Sequence, residues 1–460
     1  MSQQTLSKWL SLLETRHPTE IELGLDRISR VAKQLGFLPS GCSGSDPKNT
    51  PDTNIPPMNL SPASKVITVA GTNGKGSCVA AIDSILRAAG YQVGTYTSPH
   101  FIDYNERINI NGQPVSDEAI CTAFERIESA RDDVSLSYFE FGTLAALIIL
   151  AEAKLDVAVL EVGLGGRLDA VNVIDPDISI VTSIALDHQD WLGSDLNVIA
   201  AEKAAIGREG RPLIYGDENP IPGLLAEANK IGAQLFLNGR DFSFSQFGVV
   251  NKTLLPPVSV ACSLQAVNLL DSNISALTIE AGLNQVQLRG RYQQISVDGL
   301  NIILDVAHNP QAAGLLAQRL SSLNDKVVAV VGIMSDKDIP AILGPMIPKV
   351  KSWYFCDIPG QARAATAQSM VSMLYQEKQS KKELFRDDQY NDEPYNAGVI
   401  NSQSDVQCGR ISEVDHVVEQ SSPVAAIQAA LASAKAGDTV VVFGSFFTVG
   451  PVLNWLESLG

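Results

Sequence analysis

Basic side chains are in short supply in this sequence. Lys and Arg number 34 against 51 Asp and Glu, for a formal charge of −17. Nucleic-acid backbones and anionic membrane surfaces recruit a basic face, so this balance argues against both as partners. Anionic small substrates stay open, because one site can be locally basic on an acidic protein. Cysteine is scarce as well. The six, at positions 42, 78, 121, 262, 356 and 408, are scattered and form no CxxC. Cys78, Cys121 and Cys262 sit in apolar or helical contexts and read as small hydrophobic residues, which points to a reducing, cytoplasmic setting. Long apolar runs are missing: the longest, Leu144 to Ala151, is too short for a bilayer. The polar start, Met1 to Trp9, has no signal-peptide core. No internal repeat, coiled coil or large apolar stripe demands a partner, so a monomer is expected.

What is present is an ordinary globular balance, 45% apolar and 18% charged over 460 residues, enough for two domains. Residues 5–37 carry helical periodicity, and residues 38–63, rich in Pro, Ser, Gly, Asn and Asp, read as a loop or insert. From Lys65 strands and helices alternate. The strands are Lys65–Ala70, Gln92–Thr97, Asp156–Val162, Ile178–Ile184 and Pro212–Tyr215, with helices such as Ser116–Arg131 between them. That alternation implies a parallel sheet covered on both faces. A second block starts near Tyr292, with strands Gly299–Asp305, Lys326–Val331, Ser352–Cys356 and Thr439–Phe443. Residues 376–412 are charge-rich with little periodicity and read as a mobile surface insertion. The fold class is therefore α/β: a P-loop-containing parallel-sheet domain over 1–290, then a smaller Rossmann-like α/β domain over 291–460.

The chemistry concentrates in Val69-Ala70-Gly71-Thr72-Asn73-Gly74-Lys75-Gly76-Ser77. A strand leads in, and a helical pattern through Val79, Ile82, Ile85 and Leu86 leads out, with Gly90 fitting a C′ stop. Strand, glycine turn, lysine, hydroxyl and helix make a phosphate cradle: glycines let N–H groups close on phosphates, and the helix start adds positive potential. Lys75 would reach the β/γ-phosphates and Ser77 would face a metal. The spacing is unusual, with two residues between Gly71 and Gly74 and with Gly76 separating Lys75 from Ser77.

Other candidates fall at strand ends, where parallel sheets bind ligands. Glu161 ends one strand and suits a hard cation such as Mg²⁺. His188, in Asp187-His188-Gln189-Asp190, is a metal ligand, a water-orienting group or a satisfied polar residue. Thr97-Ser98-Pro99-His100 reads by itself as a proline-directed turn; Ser98 is a further oxygen ligand, and His100 a substrate contact, if the turn is functional. Lys203, on a short helix, reads from its residues alone as a surface lysine. In the second block Asp305 suits a ribose hydroxyl or ion and His308 a phosphate, whereas Asp336-Lys337-Asp338 reads as a charged turn. Three of five histidines (100, 188 and 308) end predicted strands, which suggests one cleft between the domains.

Several segments, in order, resemble the Mur ligase superfamily and, within it, the folylpolyglutamate synthase/dihydrofolate synthase family. They are Leu23-Gly-Leu-Asp-Arg27, the phosphate turn, Thr97 to His100, Glu106-Arg-Ile108, Asn111-Gly112, Phe139-Glu140-Phe141, Glu161 to Asn172, Asp187-His188, Leu192-Gly193, Glu202-Lys203, Gly290-Arg291, Asp305 to Pro310 and Asp336 to Asp338. The resemblance implies an ATP-dependent amide ligase that activates a carboxylate as an acyl phosphate for attack by the amino group of L-glutamate. It implies that Asn73, Gly74, Lys75, Gly76 and Ser77 hold ATP, joined by Asn268, Arg291 and Asp305. Two Mg²⁺ ions are implied, one at Ser98 and Glu161 close to Ser77, the other at His188 and a carbamylated Lys203. Lys75, His188 and Lys203 are the residues that the resemblance implies carry the catalysis. Gly24, Leu25, Asp26, His100, Phe139, Glu140, Leu168, Asp169, Ala170 and His308 are the implied substrate contacts.

A carboxylate is a poor electrophile, and phosphorylation supplies its leaving group; metals and lysine must screen the repulsion between anionic reactants. Dihydropteroate and reduced folates are the implied acids. An enzyme confined to reduced folates is the near alternative, and a P-loop kinase or nucleotide switch the distant one.

Overall fold

In a computed structural model of the chain, the described residues are 5–19, 22–37, 60–249, 254–286, 288–321, 323, 326–387 and 416–459, side chains from 381 to 387 excepted. Two units are distinguished, Met1–Leu288 and Arg289–Gly460. The strands of the first are β1 Lys65–Ala70, β2 Val93–Tyr96, β3 Ile108–Ile110, β4 Gln113–Pro114, β5 Val157–Glu161, β6 Ile178–Val181, β7 Pro212–Tyr215 and β8 Gln234–Leu237. They form one sheet in the order β4-β3-β2-β5-β1-β6-β7-β8. All neighbours from β2 to β8 pair parallel, so these strands end on the same edge.

Both faces of that sheet are buried, which is why its strands read as near-continuous apolar runs. Ala158 and Leu160 of β5 face one cluster with Trp9, Ile28, Phe124 and Phe141. Val157 and Val159 face the other, with Val79, Ile82, Leu264 and Leu283. The second cluster seats the helix Lys75–Ala88, which follows the phosphate turn, against the helices Pro257–Leu270 and Ala276–Gln285. The last of these comes very close. A Cβ at Gly282 would stand 2.5 Å from Ile85 Cα, and Ser84 Oγ donates to Gly282 O at 2.7 Å.

The second unit is a six-stranded sheet of β9 Gln293–Val297, β10 Leu300–Leu304, β11 Val327–Val331, β12 Val350–Cys356, β13 His416–Gln420 and β14 Thr439–Phe443, ordered β13-β12-β11-β14-β10-β9. Its core includes Ile303, Val331, Trp353, Phe355 and Phe443.

Several expectations change. Neither sheet is wholly parallel, because each carries an antiparallel hairpin at one edge. Asn111-Gly112 and Asp298-Gly299 make the turns, all four residues at positive φ, the pattern that favours two-residue hairpins. The expected helical stretch over 5–37 is two helices, Leu6–Arg16 and Asp26–Gln34. His17 precedes Pro18, and its ψ of 138° is the extended geometry that proline imposes on its predecessor. The start of the expected insertion at 376–412 continues the helix Ala367–Asp387; Met370 and Leu374 seat its first half in the core, and its Glu, Lys and Gln residues favour the helical state. The remainder, 388–412, and residues 38–59 of the earlier insert lie outside the described residues.

The Gly282 approach fixes how the phosphate-turn helix is seated. Gly282→Ala is expected to lower unfolding free energy by about 1–3 kcal/mol through overpacking, read as a lower denaturant midpoint at unchanged slope. An unshifted midpoint would show that the two helices separate freely.

Candidate active site

Between β1 and the helix Lys75–Ala88 the chain turns through two residues that only glycine fits. A Cβ at Gly71 would lie 2.0 Å from Thr182 Oγ1, and one at Gly74 2.3 Å from Ser259 Oγ; Gly74 also sits at φ +85°. Small hydroxyls hold the turn open. Asn73 N donates to Ser183 Oγ at 3.1 Å, and Thr182 Oγ1 donates to Asn73 O at 2.7 Å. Thr72 Oγ1 donates to Ala185 O and accepts from Ala185 N, while Ser259 Oγ donates to Gly74 O at 3.0 Å. Gly76 and Ser77 open the helix, whose first N–H groups have no partners within it.

Two ammonium groups converge on this turn. Lys75 Nζ donates to Gly71 O at 3.1 Å and Lys203 Nζ to the same oxygen at 3.2 Å. Lys203 is not the surface lysine that its local sequence suggests. It is 5% exposed, because Glu202 on the same helix pairs with Arg167 and Gly166 packs against the Glu202–Lys203 backbone. Burial, then the Lys75 charge, push the Lys203 amine down from 10.5 to about 7, against the pull of Asp187 and Asp169. Burial raises the Asp169 carboxyl to about 6, opposed by the amides of Leu164 and Val171, among others, and by Lys75. Gly71, Thr72, Lys75, Gly163, Asp187, His188 and Lys203 share one small concavity.

Glu161 ends β5, the neighbour of β1, and is buried. Its Oε2 accepts from Ser98 N at 3.3 Å, and a Cβ on Gly76 would stand 3.7 Å from the same oxygen. Glu161, Ser98 and the first turn of the phosphate helix are therefore brought together, as expected. His188 caps a short helix at φ +51° with its side chain 43% exposed, its Nε2 4.0 Å from Asp187 Oδ2. Among the described residues no group of three His, Cys, Asp or Glu is placed to hold a metal. The donors available are the Glu161 and Asp187 carboxylates, hydroxyls and His188, which fits a hard cation completed by phosphate oxygens rather than an all-protein cage.

The expected substrate residues divide. Gly24 N donates to Leu168 O at 3.1 Å, joining the Gly24–Leu25 segment to Leu168, Asp169 and Ala170. Phe139 stacks on Tyr96 with centroids 6.0 Å apart and lies so close to Gly163 that a Cβ there would meet the ring at 2.6 Å. Asp26 opens the helix Asp26–Gln34. Glu140 completes a capping box with Ser137 and pairs with Arg27 at 3.3 Å, so its carboxylate is committed to holding the helix that bears Phe139. His100 Nδ1 accepts from Arg107 Nε at 2.9 Å. Burial, then Arg107, push the ring down to about 4, which keeps it neutral at pH 7.

In the second unit Asp305 accepts from Tyr292 N and Ala307 N at 2.9 Å each. Burial raises its carboxyl, opposed first by Arg291. Arg291 and His308 both lie near Phe446. Asn268 is not brought to the phosphate turn. It stands nine residues, about 13 Å of helix, beyond Ser259 and lines a separate concavity with Gln246, Phe247 and Asp271. The position on its helix that touches the turn is Ser259. Sequence reasoning missed Thr182, Ser183 and Ser259, which carry no motif, and gave no role to Thr72 within the turn or to Asp187, although the latter sits beside His188 at a strand end.

Residues 69–241 match the Mur ligase middle domain and residues 290–446 the Mur ligase glutamate ligase domain. A dihydrofolate synthase/folylpolyglutamate synthase of Escherichia coli K12 is 39% identical, over 98% of this chain and 96% of its own. The structure is similar to Escherichia coli FolC in complex with DHPP and ADP, with TM-score 0.82, 37% identity and coverage of 99% and 98%. It is also similar to a bifunctional folylpolyglutamate synthase/dihydrofolate synthase with Mn, AMPPNP and L-glutamate bound, with TM-score 0.80, 36% identity and the same coverage. The two domains and the phosphate turn define the class, a Mur-type ligase. Within that class the chain belongs to the dihydrofolate synthase/folylpolyglutamate synthase family.

The Lys203 environment has a measurable consequence. Between about pH 7 and 10.5 the unfolded chain keeps a proton that folded Lys203 releases, so this group adds stability as pH rises through that window. In CO₂-free buffer Lys203→Met is expected to melt above the parent at pH 7 and to lose that advantage towards pH 10. A constant difference between the two melting curves would contradict the buried, charge-crowded amine.

Proposed function

We propose that the chain is an ATP-dependent ligase that joins L-glutamate first to dihydropteroate and then to reduced folates, each acid passing through an acyl phosphate. The observation that carries this reading is the meeting of Lys75 and Lys203 on Gly71 O beside Glu161 and Asp187. The Lys75 cation and the free N–H groups of the helix start at a glycine turn attract an anion of high charge, and relatives of this chain bind ADP or AMPPNP. The domain over 1–290 would bind ATP and the pteroate, and that over 291–460 would serve glutamate transfer.

In this reading the turn N–H groups and Lys75 hold the phosphates, and Lys75 stabilises charge building on the transferred group. Gly24, Leu25, Phe139 and the Leu168–Ala170 segment wall the pterin, while His100, fixed by Arg107 with Nδ1 as acceptor, presents Nε2–H as a donor. Ser77, Ser98 and Glu161 would hold one Mg²⁺, and His188 with carbamylated Lys203 a second. The ions would screen the anionic reactants. A lysine reacts with CO₂ only as the free amine, and an amine held near 7 supplies that form at neutral pH. Carbamylation would turn a repelling cation into an oxygen donor. Buried, unpaired cysteines 78, 121, 262 and 356 support a reducing cytoplasmic location, and we take the working unit as a monomer.

Phosphate release is expected only when ATP, L-glutamate and an acid substrate are all present, with dihydropteroate and tetrahydrofolate each sufficient as that acid. Release without glutamate would identify a hydrolytic switch instead, and ADP formed without phosphate release a kinase. Lys75→Ala is expected to lower kcat by about a hundredfold or more, measured in the same assay. With ¹³C-bicarbonate, a carbamate carbon resonance should appear in the parent and vanish in Lys203→Ala, whose turnover falls steeply and is not restored by bicarbonate. Full activity in Lys203→Ala would remove that residue from the mechanism.

A further inference from the structure

One arrangement in the second unit is not used by the reading above. The Phe446 ring, at the start of the helix Phe446–Glu457, lies under the Arg291 guanidinium, with Cζ 4.9 Å from the ring centroid. The His308 ring is tilted beside the same phenyl, 6.4 Å between centroids. The backbone around Arg291 is tied down on both sides. Gly290 O accepts from Val306 N at 3.0 Å, and Tyr292 N donates to Asp305 Oδ2 at 2.9 Å. Phe446 is anchored in turn, since Ser445 Oγ accepts from Phe447 N and caps the helix. These bonds locate the Arg291 Cα. The side chain itself, a long stem whose ordering costs entropy, is drawn by the charge of the buried Asp305 carboxylate and lies over the Phe446 ring. An aromatic face beneath a guanidinium fixes the plane of that group without consuming its N–H donors.

We propose that Phe446 is a positioning residue for nucleotide binding: its ring holds the Arg291 guanidinium flat, so that its donors are already set for a nucleoside triphosphate. This rests on the reading that Arg291 contacts ATP. Preorganisation lowers the ordering cost paid at binding and shows in nucleotide affinity, because the same contact serves ground state and transition state alike. Phe446 supplies no polar atom and touches no reacting group in this scheme.

The test compares Arg291→Ala, Phe446→Leu, Phe446→Tyr and the double variant Phe446→Leu with Arg291→Ala, all as full-length protein. It uses ATP steady-state kinetics at saturating co-substrates and ADP titration. Phe446→Leu is expected to raise the KM for ATP and the ADP Kd about three- to tenfold with kcat within about twofold. Phe446→Tyr keeps a flat ring and should restore parental values. Arg291→Ala should weaken nucleotide binding further, and adding Phe446→Leu to it should change nothing more. If Arg291→Ala weakens binding while Phe446→Leu does not, the positioning role falls and the nucleotide reading of Arg291 stands. If Arg291→Ala itself has no effect on ATP or ADP, that reading fails and takes the inference with it. Loss of kcat in Phe446→Leu that persists in the Arg291→Ala background, or that Phe446→Tyr does not repair, would mark a purely structural side chain.

Discussion

Two ammonium groups donating to one carbonyl oxygen is an arrangement that a protein does not keep without cause. Lys75 and Lys203 repel each other across Gly71 O, and Lys203 does so from a buried position. Water cannot screen that repulsion well there, so the amine gives up its proton more readily. Asp187 and Asp169 offset part of the strain. The rest of the first unit holds this unstable pairing in place.

The sheet does so by its order. With β1 between β5 and β6, the glycine turn, Glu161 and the segment leading to Asp187 leave three neighbouring strands at one edge. Both sheet faces are packed, so the strands cannot slide, and the hydroxyls of Thr72, Thr182, Ser183 and Ser259 tie the turn to the loops beside it. Glycine at positions 71 and 74 is required by contact, since any Cβ would collide with Thr182 or Ser259. Arg107 acts in the same spirit beside β2: it orients His100, which burial first and then the Arg107 charge keep neutral, and its guanidinium lies 5.3 Å from the centre of the Tyr104 ring.

The alternating blocks and their buried strands were legible because parallel strands covered on both faces must be apolar throughout. β1, β7 and β14 span the residues expected of them. The edge hairpins escaped notice although Asn111-Gly112 and Asp298-Gly299 announce them, because their strands are short and half exposed and lack that apolar run. Glu161 and Ser98 could be placed together by their strand-end positions. Lys203 could not, since nothing in Ala-Glu-Lys-Ala distinguishes a buried lysine from a solvated one. Ser259 could not be placed either: helical periodicity gives the face of a helix but not which turn of it lies beside a loop far away in sequence.

The sequence by itself determined the two α/β units, the glycine turn with its lysine and the acidic and histidine residues at strand ends, all of which follow from local propensity and periodicity. Only the tertiary structure decided that Lys203 is buried beside Lys75, that Ser259 meets the turn, and that Glu140 and Arg107 serve their neighbours. Those outcomes depend on which segments meet across long stretches of chain, where burial and charge are set by neighbours that no local pattern names.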